Sequence, residues 1–286
     1  MLPIERSPTG LHAMVAAWRA DGARVALVPT MGALHDGHAA LIRAARAEAE
    51  RVVVSIFVNP RQFGPNEDFD RYPRDEAADV TAAARAGADL VYAPAISAMY
   101  PSGYATTVSV TGLSEGLCGA QRPGHFDGMA TVVTKLLLQA GADSAWFGEK
   151  DYQQWLVVCR LVADLDIPVR LCAVPTAREA DGLALSSRNR FLSPGERAIA
   201  PRLAAVLHEI ATRATATPDA IAPLLAEGHA ALTAAGLKVE YLEIRDAETL
   251  APCTTCHAPA RVLAAVRLGS VRLIDNWPIP AAAQRA

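Results

Sequence analysis

Apolar positions along the first 175 residues alternate between two rhythms. Leu11, Met14, Val15 and Trp18 recur at i, i+3, i+4 and i+7, which predicts a helix over about 10–20 that Gly22 stops. Residues 24–29 (RVALVP) and 52–58 (VVVSIFV) are unbroken apolar runs, the mark of strands buried on both faces, as parallel strands are. Between them a helix is expected over about 37–50. A helix over 75–86 stops at Gly87, and strands follow at 89–92 and, briefly, 106–110. Met129, Val132, Val133, Leu136 and Leu137 share one face of a helix over 125–140. A strand at 144–147, a helix at 152–163 and a strand at 169–174 complete the series. This alternation predicts an α/β fold, a doubly wound Rossmann-like parallel sheet whose ligands bind beyond the carboxyl ends of the strands.

After about 176 the pattern changes. Ser193, Pro194 and Glu196 form a capping box with proline at the first helical position, opening a helix expected to reach about 214. A second helix spans 218–234. Residues 239–244 and two apolar runs joined at Leu268, Gly269 and Ser270 predict a small antiparallel sheet. The expected organisation is a Rossmann-like domain over 1–176 and a smaller α+β domain over 177–286.

Composition narrows the function. With 51% apolar and 20% charged residues, the 286-residue chain is neither disordered nor long enough for three domains. A net charge of −3 supplies no field for nucleic acid. No run of about 18 apolar residues predicts a membrane span. The first residues lack an apolar signal core. Five scattered cysteines make no disulfide framework, so a reducing cytoplasm is expected. Of the 27 cationic side chains only Lys135, Lys150 and Lys238 are lysines, which singles each of them out.

Four segments carry chemistry, each at a strand end. Met31-Gly-Ala-Leu-His35-Asp-Gly-His38 opens a helix, where free backbone N–H groups and the positive end of the dipole suit a phosphate. His35 and His38, three apart, share one side of the first turn and can donate to phosphate oxygens as charge builds there. Asn59 and Gln62 follow the strongest strand. Phe147-Gly-Glu-Lys150-Asp-Tyr-Gln-Gln154 again leads from strand to helix, with Asp151 as N-cap and a compact ammonium suited to phosphate. Arg178 to Asn189 (READGLALSSRN) offers hydroxyls and a guanidinium on a loop that Gly182 would make mobile. Read singly, each is also an ordinary helix cap, polar loop or solvated charge cluster.

Together, in this order, these segments resemble the pantothenate synthetase (pantoate–β-alanine ligase) family of the nucleotidyltransferase superfamily that carries a His-x-Gly-His signature. The matching stretches are VPTMGALHDGH, SIFVNPRQFGPNEDFDRYPR, GHFDGMATVV, FGEKDYQQ and READGLALSSRN. The resemblance implies that pantoate and ATP form a pantoyl adenylate and pyrophosphate, and that β-alanine then releases AMP and pantothenate. It implies that Met31, Gly32, Ala33, Leu34, His35, Asp36, Gly37 and His38 lie along ATP, with His38 as proton donor. Gly148, Glu149, Lys150 and Asp151 would also contact ATP, Lys150 near the phosphates. Ala177, Leu185, Ser186, Ser187 and Arg188 would complete that site, and His35, His38, Lys150, Ser186, Ser187 and Arg188 form the expected catalytic set. Gln62 would bind pantoate and β-alanine, with Gln154 and Asn59 beside pantoate. Leu185 and Ala177 stand where the family usually has Met and often Val. The resemblance further implies Mg²⁺ with the triphosphate, held mainly by phosphate and water, and a homodimer. Asp79 is a weak candidate for outer metal contacts and otherwise a solvated helix residue.

Several alternatives meet the same residues. No Gly-x-Gly-x-x-Gly or Walker A pattern occurs. A nucleotidyltransferase with another acceptor is the enzymatic rival, against which Gln62 and Gln154 argue. A silent ATP-binding regulator is the other, against which His35, His38 and Lys150 argue. Cys253-Thr-Thr-Cys256-His257 matches a haem-attachment pattern, but it lacks further ligands and reads as a loop with two thiols before a hairpin.

Overall fold

The computed structural model describes residues 2–65 and 67–281. The chain forms two compact units, one running to Glu149 and including Gln154–Pro175, the other comprising Lys150–Gln153 and everything from Thr176.

The first unit holds strands β1 (Ile4–Glu5), β2 (Val25–Thr30), β3 (Arg51–Ile56), β4 (Leu90–Tyr92), β5 (Ser144–Gly148) and β6 (Arg170–Val174). They form one sheet in the order β1-β4-β3-β2-β5-β6, every pairing parallel. Its helices are α1 (Pro8–Ala20), α2 (Asp36–Glu48), α3 (Glu76–Ala86), the single turns α4 (Ile96–Met99) and α5 (Cys118–Gln121), then α6 (His125–Ala140) and α7 (Tyr152–Asp164). Ala26 and Val28 of β2 with Val52 and Val54 of β3 meet Leu41, Ile42 and Ala45 of α2 and Ala83 and Ala86 of α3. The intervening Val25, Leu27 and Val53 are equally buried, on the face where α1 and α6 pack. Both faces are covered, which is why these strands read as unbroken apolar runs. The chain leaves β2 through β3 and β4 on one side and returns through β5 and β6 on the other. The reversal falls between β2 and β5, where open α/β sheets bind ligands.

Residues 106–110 are not a strand. This segment lies largely exposed, and its Val108 N–H donates to Thr131 Oγ1 of α6 at 2.9 Å instead of to a sheet partner. An apolar alternation specifies a strand only where an edge is within reach. The two-residue β1, which pairs with β4, is too short to leave a pattern.

The second unit packs α8 (Pro194–Ile199), α9 (Arg202–Ala216) and α10 (Ile221–Ala234) with an antiparallel sheet of β7 (Lys238–Asp246), β8 (Ala260–Leu268) and β9 (Val271–Ile279). Leu203, Leu207 and Ile210 of α9 and Leu224 and Leu232 of α10 share a core with Val262, Ala264 and Val266 of β8. The capping box at Ser193 and Glu196 forms as expected. The single helix expected to 214 does not: Pro201, which has no N–H to donate, divides it into α8 and α9. Cys253 and Cys256 lie between β7 and β8. Cys256 is not a surface thiol but sits fully buried in the core, where burial pushes its thiol up to about 11.

Candidate functional site

The loop leaving β2 is built around two internal clamps. Thr30 Oγ1 donates to Ser55 O at 2.6 Å and accepts the Gly32 N–H at 3.1 Å. Asp79, on α3, is not solvated. It is 4% exposed, and its two carboxylate oxygens accept the N–H groups of Ala33 (2.9 Å) and Leu34 (2.7 Å). Its Oδ2 lies so close to Gly32 that a Cβ there would approach to 2.8 Å, and Gly32 holds φ +80°. Ala33 is held at φ +52°, a left-handed backbone that needs such support.

Both signature histidines cap α2. His35 is the N-cap, and its Nδ1 accepts the Gly37 N–H at 3.1 Å. His38 Nδ1 accepts the His35 N–H at 3.3 Å, closing a capping box. A ring nitrogen that accepts from an amide carries no hydrogen, so each neutral imidazole bears its proton on Nε2. The rings lie 4.1 Å apart between centroids, tilted by 43°. This corrects the expected bank of free backbone donors. The N–H groups of Gly32, Ala33, Leu34, His35 and Gly37 are all engaged inside the loop. Asp36 in the first turn adds a negative charge of its own at the helix terminus. Donor capacity therefore passes from the backbone to the imidazole Nε2–H groups.

The second segment leaves β3 and forms a 3-10 turn, Pro60–Gln62, capped by Asn59. Asn59 is fully buried. Its Nδ2 donates to Gln62 Oε1 (3.1 Å) and Gly128 O (3.0 Å), and its Oδ1 accepts Tyr100 OH (2.8 Å) and Arg61 N–H (3.2 Å). Gln62 Nε2 donates to Met31 Sδ at 2.9 Å, which joins this segment to the β2 loop. Burial pushes the Tyr100 hydroxyl up to about 12, so it stays a donor. Gly128 lets α6 come this close: a Cβ there would stand 2.1 Å from Arg61 O.

Two further side chains, Arg122 and His125, hold the turn by its Gln62 carbonyl. His125 Nδ1 lies 2.8 Å from Gln62 O, and its Nε2 lies 3.0 Å from Arg122 Nη1. A carbonyl only accepts and a guanidinium only donates, so His125 bears its hydrogen on Nδ1. Arg122 also pairs with Glu67 at 2.6 Å. Burial pushes the Glu67 carboxyl up, but the Arg122 bonds and charge outweigh it and hold it below its ordinary value. Arg122 directly follows α5, and His125 opens α6 within the GHFDGMATVV stretch; neither side chain carried a spacing signal.

Gly148 ends β5 and Glu149, Lys150 and Asp151 form a 3-10 turn, with Asp151 directly before α7. Gln154 sits half-buried in the first turn of α7. Lys150 belongs to the second unit, where its Nζ lies 3.9 Å from Asp151 Oδ1. In the same unit, residues 177–185 form a small hairpin. Leu185 N–H donates to Ala177 O at 2.9 Å and Glu179 N–H to Leu183 O at 2.9 Å, bringing Ala177 and Leu185 together. Gly182 makes the tight turn between them. Ser186 then caps a 3-10 turn, Ser187–Phe191, its Oγ accepting the Arg188 N–H at 3.2 Å.

The chain is similar over nearly its whole length to known proteins. The family model described as pantoate-beta-alanine ligase matches residues 4–278. The chain is 57% identical over 276 residues to the pantothenate synthetase of Paramagnetospirillum magneticum, covering 96% of each, and 57% identical over 280 residues to that of Chelativorans sp., covering 97% of this chain and 98% of the relative. Among solved structures, a pantothenate synthetase from Thermus thermophilus superposes with a TM-score of 0.92 at 47% identity, over 97% of this chain and 99% of that one. A pantoate-beta-alanine ligase from Francisella tularensis, solved with beta-gamma ATP and beta-alanine, gives 0.82 at 33% identity over 97% of each chain.

Proposed function

The chain belongs to the pantoate–β-alanine ligase family, and from that premise we propose how its own residues condense pantoate with β-alanine using ATP. A pantoate carboxylate oxygen attacks the α-phosphorus of ATP and pyrophosphate leaves. The β-alanine amine then attacks the carbonyl of the pantoyl adenylate, and AMP leaves with the former carboxylate oxygen. A carboxylate has no usable leaving group towards an amine, and adenylation supplies one.

The observation that carries the residue assignment is the pair of imidazoles whose Nδ1 atoms are committed to capping α2. Their Nε2–H groups become the donors aimed at developing phosphate charge, His38 as proton donor and His35 beside it. Met31 to His38 line the nucleotide. Asn59, Gln62 and Gln154 bind pantoate through amides, which orient a carboxylate without the ion pairing that would blunt it. Gln62 serves β-alanine as well. In the second unit, Lys150, Ser186, Ser187 and Arg188 supply cations and hydroxyls for a triphosphate, with Ala177 and Leu185 presenting backbone. Magnesium would accompany the triphosphate, held mainly by phosphate oxygens and water, and Asp79, whose carboxylate already accepts the Ala33 and Leu34 N–H groups, would meet it only through water. The enzyme is further read as a cytoplasmic homodimer, which family membership supports.

The test is stoichiometry with purified protein. Pantoate, β-alanine and magnesium ATP should yield pantothenate and AMP one for one. Formation of ADP and phosphate instead would contradict an adenylate.

A further inference from the structure

Two ATP-assigned segments of the second unit are tied to the same pair of residues on β9. Asp275 is 3% exposed, and its carboxylate takes both terminal nitrogens of Arg178, at 2.7 and 2.9 Å. Arg178 also donates to Gly182 O at 3.0 Å and lies 4.3 Å over the Trp277 ring. It opens the hairpin that delivers Ser186, Ser187 and Arg188. Asn276, equally buried, donates from Nδ2 to the Lys150 carbonyl at 2.9 Å and accepts from Arg261 Nη1 through Oδ1. The Arg261 guanidinium lies 3.7 Å from the centre of the Tyr152 ring, two residues beyond Lys150, and Tyr152 OH donates to Ala247 O at 2.6 Å. The two β9 residues are also joined to each other, since Asp275 Oδ1 accepts the Asn276 N–H at 2.8 Å.

A buried ion pair is weak evidence of stability, because desolvation offsets much of the attraction; its geometry is what it secures. A bidentate arginine fork fixes direction as well as distance. A lysine on a four-carbon stem delivers its charge reproducibly only if its backbone is held. Asp275 and Asn276 meet both needs from adjacent positions of a strand paired along its length with β8.

We propose that Asp275 and Asn276 are positioning residues for ATP, Asp275 fixing the hairpin that presents Ser186, Ser187 and Arg188 and Asn276 fixing the backbone of Lys150. The proposal rests on the assignment of those groups to ATP.

The test is a KM-against-kcat comparison with Asn276→Asp, which keeps the acceptor for Arg261 but replaces the Lys150 donor with an oxygen, and with Asp275→Asn. Each should raise the KM for ATP by about 10- to 100-fold while leaving the KM for pantoate unchanged, since a misplacement of about 1 Å can cost up to about 10²-fold. In a Lys150→Ala background, Asn276→Asp should add little, because it acts through Lys150. If Asp275→Asn does not fold, Arg178→Lys retains the charge, loses the fork and gives the same reading. Equal changes in both KM values, or a kcat that only follows the folded fraction, overturn the proposal. Lys150→Ala with an unchanged ATP KM overturns the assignment of Lys150 itself. A raised ATP KM there, with an unchanged one in Asn276→Asp, overturns the positioning role alone.

Discussion

Replacing Asp79 with alanine removes the clamp beneath the nucleotide loop. Two backbone N–H groups, at 2.9 and 2.7 Å from a carboxylate that is 4% exposed, lose their acceptor together. Hydrogen bonds to a charged group contribute about 1.5–3 kcal/mol each, and water entering the vacated space recovers part of that, so the expected loss is about 3 kcal/mol. For a unit of this size each kcal/mol lowers the melting temperature by about 2–4 °C, which gives a fall of about 6–12 °C. Ala33, at φ +52°, then has no partner to hold it in a left-handed backbone, and the loop relaxes. The KM for ATP should rise more than that for pantoate. Thermal unfolding monitored by circular dichroism, with initial rates at varied ATP and pantoate, measures both effects. An exposed helix carboxylate would cost no more than about 0.5 kcal/mol. A melting temperature within a degree or two of the parent, with both KM values unchanged, would refute the clamp.

His38→Gln keeps an acceptor at the third helical position, so melting should hold while adenylation slows about 10²–10³-fold; parent-like turnover would remove His38 from the chemistry. Glu67 is held below its ordinary 4.5 in the folded state, so its pairing with Arg122 stabilises above that value and is lost as pH falls through the depressed one. Glu67→Gln should therefore melt lower than the parent at pH 7, and the gap should close below about pH 4; a gap that widened in acid would have the wrong sign. Cys253→Ser should be nearly silent, whereas Cys256→Ser places a hydroxyl in the core and should cost about 1–3 kcal/mol in denaturant unfolding. Equal and negligible effects would contradict the burial of Cys256.

The sheet was legible because both its faces are covered, so β2 and β3 appear as unbroken apolar runs and the helices between them as clean amphipathic stripes. Residues 106–110 have the same local pattern without a neighbouring edge, and nothing local distinguishes the two cases. The division of α8 from α9 was readable in Pro201, whose effect was outweighed by a strong capping signal upstream. The candidate site residues were named from contiguous motifs. What the motifs hid was direction: Nδ1 of each signature histidine turns inward to cap α2, and the backbone donors are spent within the loop. Asp79, Arg122, His125, Asp275 and Asn276 act on residues 45 or more positions away or on a fold-dependent neighbour, and sequence spacing carries no trace of such contacts.

Activation precedes condensation in the proposed reaction, and pyrophosphate exchange measures that order directly. Purified protein is given pantoate, magnesium ATP and labelled pyrophosphate, with β-alanine withheld. A reversible first step returns label to ATP, because the anhydride held in the site is attacked by pyrophosphate in the absence of an amine. Exchange should require pantoate, and it should fall when β-alanine is added and drains the intermediate to pantothenate. Exchange that appears only once β-alanine is present would contradict a free adenylate.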